Sequence, residues 1–169
     1  GVSQYRGMRD PQALINLLVA NSFLLISAVG MTFVILSGGI DLSVGAVIAL
    51  TTVASAHLLE KEGWSPAVLI PLMLLMGTSL GAIMGSIIYY FKVQPFIVTL
   101  AGMFFARGMC FFISLDAITI SDPFYRTLSM TRVPLGGKTF LSLNVVIALL
   151  VVAVVYLFLY APIVVVIVY

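Results

Sequence analysis

Apolar runs long enough to cross a bilayer recur along nearly the whole chain, and no other feature limits its fold as strongly. A helix needs about 20 mostly apolar residues to span the hydrocarbon core. That length, laid on the sequence, places spans at about 21–39, 42–59, 66–91, 95–115 and 141–159. Composition agrees: 62% of the residues are hydrophobic and 8% charged, against about one quarter charged in a soluble domain. The expected fold is all-α, a polytopic transmembrane helical bundle of about five spans, read as one membrane domain over residues 1–169. The terminal "YAPIVVVIVY" is too short to span and follows the fifth run without a polar connection. Residues 160–169 therefore read as part of a further helix, and the chain as a portion of a longer one.

The breaks between runs are short. "SGGID" separates the first two, with glycines able to turn the chain sharply, and "KVQ" separates the third and fourth. Pro66 and Pro95 stand where helices three and four should begin, a position that tolerates proline. The segment from Asp116 to Phe140 is the one sizeable loop expected. Ahead of the first span, "DPQALINLLVAN" fits either a short amphipathic helix at the interface or an extension of that span. Gly77, Gly81 and Gly85 recur every four residues and so share one helix face. Such small-residue faces let another backbone approach closely in lipid, so this one is expected to pack against protein.

Several functions are excluded or weakened by what the chain lacks. A net charge of +2 from scattered Lys and Arg gives no footing for nucleic acid. One histidine, one cysteine and six carboxylates form no convergent catalytic or metal-binding set in the sequence. Cys110 reads as a small buried apolar residue, His57 as interfacial, and Trp64 as a membrane-interface anchor.

Two charges fall within or beside the apolar runs. Intramembrane charges face a bundle interior, pair with one another or with carbonyls, or line a substrate path. Arg107, in "LAGMFFARGMCFF", fits either a structural pair, with Asp116 as partner, or a pathway residue. Asp41, in "GGIDLSVG", can cap the second helix by accepting hydrogen bonds from the free amides near Ser43 and Val44. That role is compatible with a place beside a pathway.

"AVGMTFVILSGGIDLSVGAVIAL", Ala28 to Leu50, and "QPFIVTLAGMFFARGM", Gln94 to Met109, resemble the permease subunits of bacterial ABC importers for ribose, xylose and galactofuranose. "ITISDPFYRTLS" and "PLGG" are similar to the galactofuranose-type permeases in particular. The resemblance implies a non-enzymatic subunit of about ten helices in the bacterial inner membrane, of which this chain is roughly the first half. The implied partners are a second permease, ATPase subunits that bind ATP and Mg, a periplasmic sugar-binding protein and membrane lipid, with no cofactor held by the chain itself. It also implies a periplasmic "EKEGW" loop and a cytoplasmic Lys92, whereas the positive-inside rule applied to this chain alone gives the reverse orientation. Position alone, not the family, nominates Asp41, Ser43 and Arg107 as pathway residues, with Gln94 and Thr99 behind them, since polar groups on membrane helices face protein or water. Two other classes fit the sequence: an ion-coupled secondary transporter using Asp41, and a structural membrane subunit without a pathway.

Overall fold

The protein is described here from a computed structural model covering residues 11–136 and 139–168. In chain order its elements are α1 (Pro11–Ala20), α2 (Ser22–Leu36), α3 (Val44–Glu60), α4 (Pro66–Phe91), α5 (Pro95–Ile113), α6 (Pro123–Met130), β1 (Arg132–Gly136), β2 (Thr139–Ser142) and α7 (Leu143–Val168). Five of the helices fall on the five apolar runs. Both α4 and α5 are long and apolar enough to cross a bilayer, and α2 and α3 are shorter apolar helices.

Proline sets where α4 and α5 begin. The residue before a proline is pushed out of the helical region by the ring; Ser65 (ψ 144°) and Gln94 (ψ 132°) are both extended, and α4 and α5 start at the prolines that follow. At the far end of α4, Lys92 closes the helix in the left-handed region (φ 54°, ψ 31°). Its ammonium lies 4.6 Å from the centre of the Tyr89 ring, a cation–π contact.

The chain gathers into two compact units, one of Phe33–Tyr125 and one of Gly1–Thr32 with Arg126–Tyr169. In the first, α3 packs chiefly on α5, with α4 alongside both. The core is built on Ala46 and Leu50 of α3 against Ala106 of α5, closed by Met76, Leu80, Met103 and Ile113. Alanines at the contact let the helix axes approach, which is how membrane helices gain packing where lipid removes the usual hydrophobic drive. The outward faces are apolar as well: Phe112 is 85% exposed and Leu74 68%, as a surface meant for lipid or another apolar partner should be.

In the second unit, the Gln12 side chain of α1 acts as an extra strand partner. Its amide nitrogen donates to the Phe140 carbonyl (3.3 Å), and its amide oxygen accepts from the Phe140 N–H (3.1 Å). β1 and β2 form an antiparallel hairpin pairing Arg132 with Ser142 and Val133 with Leu141, with an irregularity between Pro134 and Gly136. Val145 and Ala148 of α7 are fully buried.

Two expectations need correction. The segment after α5 is not a plain loop: α6 and the β-hairpin occupy it, so the fold is helical with a small two-stranded addition. Residues 160–168 continue α7 instead of starting a further helix. Of the two readings open for the segment before the first span, the separate short helix is the one seen: α1 and α2 part at Asn21, whose side-chain amide donates to the Leu17 carbonyl at 2.8 Å. A Cβ placed on Gly77, Gly81 or Gly85 meets nothing within 4 Å, so no described part of this chain covers that face. The tight glycine contact is at Gly102 of α5, where an added Cβ would collide with Met84 Sδ.

Candidate functional site

The turn that carries Asp41 is built from backbone outward. At the end of α2, the Gly39 N–H donates to the Val34 carbonyl and the Gly38 N–H to that of Ile35, both at 3.0 Å. With Gly38 at φ +73°, this is the Schellman arrangement, in which glycine takes the left-handed position without a Cβ penalty. The chain then runs without regular structure to Ser43, and Asp41 Oδ1 accepts from both the Ser43 N–H (2.7 Å) and the Ser43 hydroxyl (2.6 Å). Asp41 thus folds an Asx turn onto the amide of Ser43, the residue just ahead of α3, and no helix amide of α3 donates to it among the described residues. The turn consumes the Ser43 hydroxyl, which makes no cap of its own, and the helix proper starts at Val44.

Thr99 completes this cluster from α5. Its hydroxyl is buried, with carbonyls of Pro95 (2.9 Å), Ile40 (3.2 Å) and Phe96 (3.3 Å) in reach. The Ile40 contact ties the turn to the first turns of α5. Three of the five nominated residues thus hold one turn: Asp41 and Ser43 bond to each other, Thr99 reaches the turn through the Ile40 carbonyl, and Ser43 is only 1% exposed.

The other two stand apart. Gln94 is exposed at the start of α5 and its side chain makes no cap. Arg107 is exposed further along α5, and no ion pair or hydrogen bond engages it among the described residues. The pair with Asp116 is not formed; what Asp116 offers is its carbonyl, to the Ser114 hydroxyl at 2.9 Å.

A second polar site lies midway along α3. Thr51, Thr52 and Ser55 of α3, Met73 of α4, and Ile120 and Tyr125 from the segment after α5 line an open pocket of about 310 Å³. Both threonine hydroxyls donate to the Ile48 carbonyl, at 2.9 and 2.8 Å. This satisfies their protons and leaves their lone pairs available.

The segment bearing Ile120 and Tyr125 is clamped to the end of α3. Glu60 accepts the Ser121 N–H at Oε1 (2.6 Å) and the Ser121 hydroxyl at Oε2 (2.7 Å). The Ser121 hydroxyl and then its amide hold the Glu60 carboxyl below the usual carboxylate range. Asp122 accepts the Phe124 N–H at 2.9 Å and starts α6. Burial, then the Asp122 charge, push the Tyr125 phenol above its ordinary value, so it stays neutral. Sequence reasoning missed this pocket. The signal available was "TTVAS", whose three hydroxyls share one helix face, with the Asp-Pro pair that marks the start of α6.

The described residues form apolar helices with polar groups between them, as a membrane protein does, and comparison with known proteins places the chain more closely. Residues 13–162 match the family described as branched-chain amino acid transport system / permease component, and the chain belongs to that family. It is 49% identical over 139 residues to the inner membrane ABC transporter permease protein YjfF of Escherichia coli strain K12, covering 81% of this chain and 42% of the relative. It is 50% identical over 97 residues to the ribose import permease protein RbsC of Haemophilus influenzae, covering 57% and 29%. To the fructose import permease protein FruG of Bifidobacterium longum it is 44% identical over 104 residues, covering 62% and 30%. The chain thus spans less than half the length of these relatives. No solved structure matches it.

Proposed function

We propose that this chain is part of the transmembrane permease subunit of an ABC importer, forming the translocation pathway for a monosaccharide such as galactofuranose or ribose. ATP hydrolysis, with its Mg, belongs to partner ATPase subunits. A second permease completes the channel, a periplasmic sugar-binding protein delivers the substrate, and the assembly crosses the bacterial inner membrane several times. The observation that carries this reading is the alignment of more than half of the chain with permeases named for fructose and ribose import, and of 81% of it with an ABC transporter permease. On this reading Asp41, Ser43 and Thr99 serve the pathway by fixing the start of α3, while Gln94 and Arg107 remain free to face it and Gly77, Gly81 and Gly85 pack on protein beyond this chain. An ion-coupled mechanism draws less support, because the Asp41 carboxylate is already engaged by the Ser43 amide and hydroxyl.

The test is to purify the native complex through a tag on the full-length permease and identify its subunits by mass spectrometry. Uptake in proteoliposomes is then measured with and without ATP and the binding protein. Co-purification with an ATPase, and uptake that stops without ATP, is the expected result. Recovery without an ATPase, or uptake that needs only an ion gradient, overturns the reading.

A further inference from the structure

We infer that the hydroxyl-lined pocket between α3, α4 and the Ile120–Tyr125 segment is a sugar-contacting subsite on the transport path, an inference that rests on the sugar-permease reading above. The first support is the chemistry of the lining. Thr51, Thr52, Ser55 and Tyr125 contribute four neutral hydroxyls, Met73 and Ile120 contribute apolar wall, and none of these six described lining residues is charged, the nearest charge felt at the wall being Asp122 beside Tyr125. A monosaccharide is a neutral polyol with apolar C–H faces, so such a wall can hydrogen-bond it and pack against it. An amino acid zwitterion, which needs countercharges once desolvated, finds none on this wall.

The second support is the state of the hydroxyls. Thr51 and Thr52 spend their protons on the Ile48 carbonyl and present acceptor lone pairs. Ser55 and Tyr125 have no hydrogen-bond partner among the described residues, so each can both give and take. The set therefore offers acceptors to sugar O–H groups and two donors to sugar oxygens.

Location and size fit as well. Ser55 and Thr51 lie about 8 and 14 Å along the axis from Glu60, at roughly 1.5 Å per residue, well inside the length of α3. Polar groups at that depth in a membrane helix face protein or a water-filled cavity. The volume, about 310 Å³, is at the lower end of the range for small-molecule sites, roughly 300–1,000 Å³.

The test uses the full-length permease assembled with its ATPase, partner permease and binding protein in proteoliposomes, with radiolabelled D-ribose, D-xylose, D-fructose and D-galactose as probes. Thr51→Val and Ser55→Ala keep the side-chain outline and remove a hydroxyl. Each is expected to slow uptake of the transported sugar about fivefold, the effect of losing one neutral hydrogen bond, with complex recovery unchanged. Ser86→Ala, on α4 outside the pocket, should transport at the wild-type rate. Ser55→Cys in a full-length permease otherwise cleared of cysteines, Cys110→Ala included, gives a readout that does not depend on transport: labelling by a water-soluble maleimide should slow when the transported sugar is present at saturation. Wild-type uptake by the Thr51→Val, Ser55→Ala double variant, or labelling indifferent to sugar, overturns the subsite and leaves the sugar-permease reading standing. A wild-type complex recovered without an ATPase, or one that moves neither these four sugars nor galactofuranose, overturns that reading and the subsite with it.

Discussion

At its start α3 meets Asp41, Ser43 and Thr99, whose polar atoms bond to one another or to backbone; half-way along, Thr51, Thr52, Ser55 and Tyr125 leave oxygens turned to a cavity. The residue types are nearly the same. What differs is where their hydrogen bonds end. At the start of α3 they close on nearby backbone and give a turn the bonding it needs to exist in apolar surroundings, whereas in the pocket part of the capacity is left over, and leftover capacity is what a ligand can use. A polar residue in a membrane helix therefore reveals little until its partners are counted.

The sharpest way to break this contrast is at Asp41. Asp41→Ala strips the acceptor from both the amide and the hydroxyl of a residue that is 1% exposed. It should destabilise the full-length permease by about 1–3 kcal/mol, read as a lower Tm in detergent. Asp41→Asn keeps an acceptor oxygen and should recover most of the loss; equal losses would mean that the charge, not the acceptor, holds the turn.

A smaller effect is expected at Thr99. Thr99→Val leaves the Ile40 carbonyl without its long-range partner and should cost about 1 kcal/mol, again in Tm. Uptake per assembled complex should not change, in contrast to the pocket variants. If Thr99→Val slows uptake without lowering Tm, the turn and the pocket are not separable in role.

The smallest effect is expected at the clamp over the pocket. Because Ser121 lowers the Glu60 carboxyl's proton affinity, the folded protein binds that proton less readily than the unfolded chain. The clamp is thus fully present above the ordinary carboxylate range and is lost as pH falls through the lowered value. Hydrogen exchange at the Ser121 and Asp122 amides should quicken in that acid window, and Glu60→Ala should show the faster exchange already at neutral pH. Exchange that ignores both pH and the substitution would mean that other contacts hold the segment.

The parts of this fold legible in the sequence are those fixed by strong local rules. Pro66 and Pro95 announce the starts of α4 and α5, and the glycines of "SGGID" announce a sharp turn. The start of α3 was read two residues early because the Asp41–Ser43 turn occupies residues whose hydropathy resembles that of the helix. Periodicity shows that Gly77, Gly81 and Gly85 share a face but not what covers it, so the close contact at Gly102 and Met84 escaped notice. α6 and the β-hairpin were missed because each is shorter than the window over which hydropathy is read. The pocket was missed for a different reason: hydroxyls that bond back to their own helix are ordinary in any membrane span, and only the arrival of Tyr125 and Ile120 from a distant segment turns three of them into a wall.

The Lys92–Gln94 connection has a mechanical consequence. One of its residues sits in a left-handed well and another is held extended by the ring of Pro95, so little slack is left between α4 and α5. A push applied at that end cannot be absorbed by the linker; it tilts both rods together, like the two legs of a staple driven by its crown.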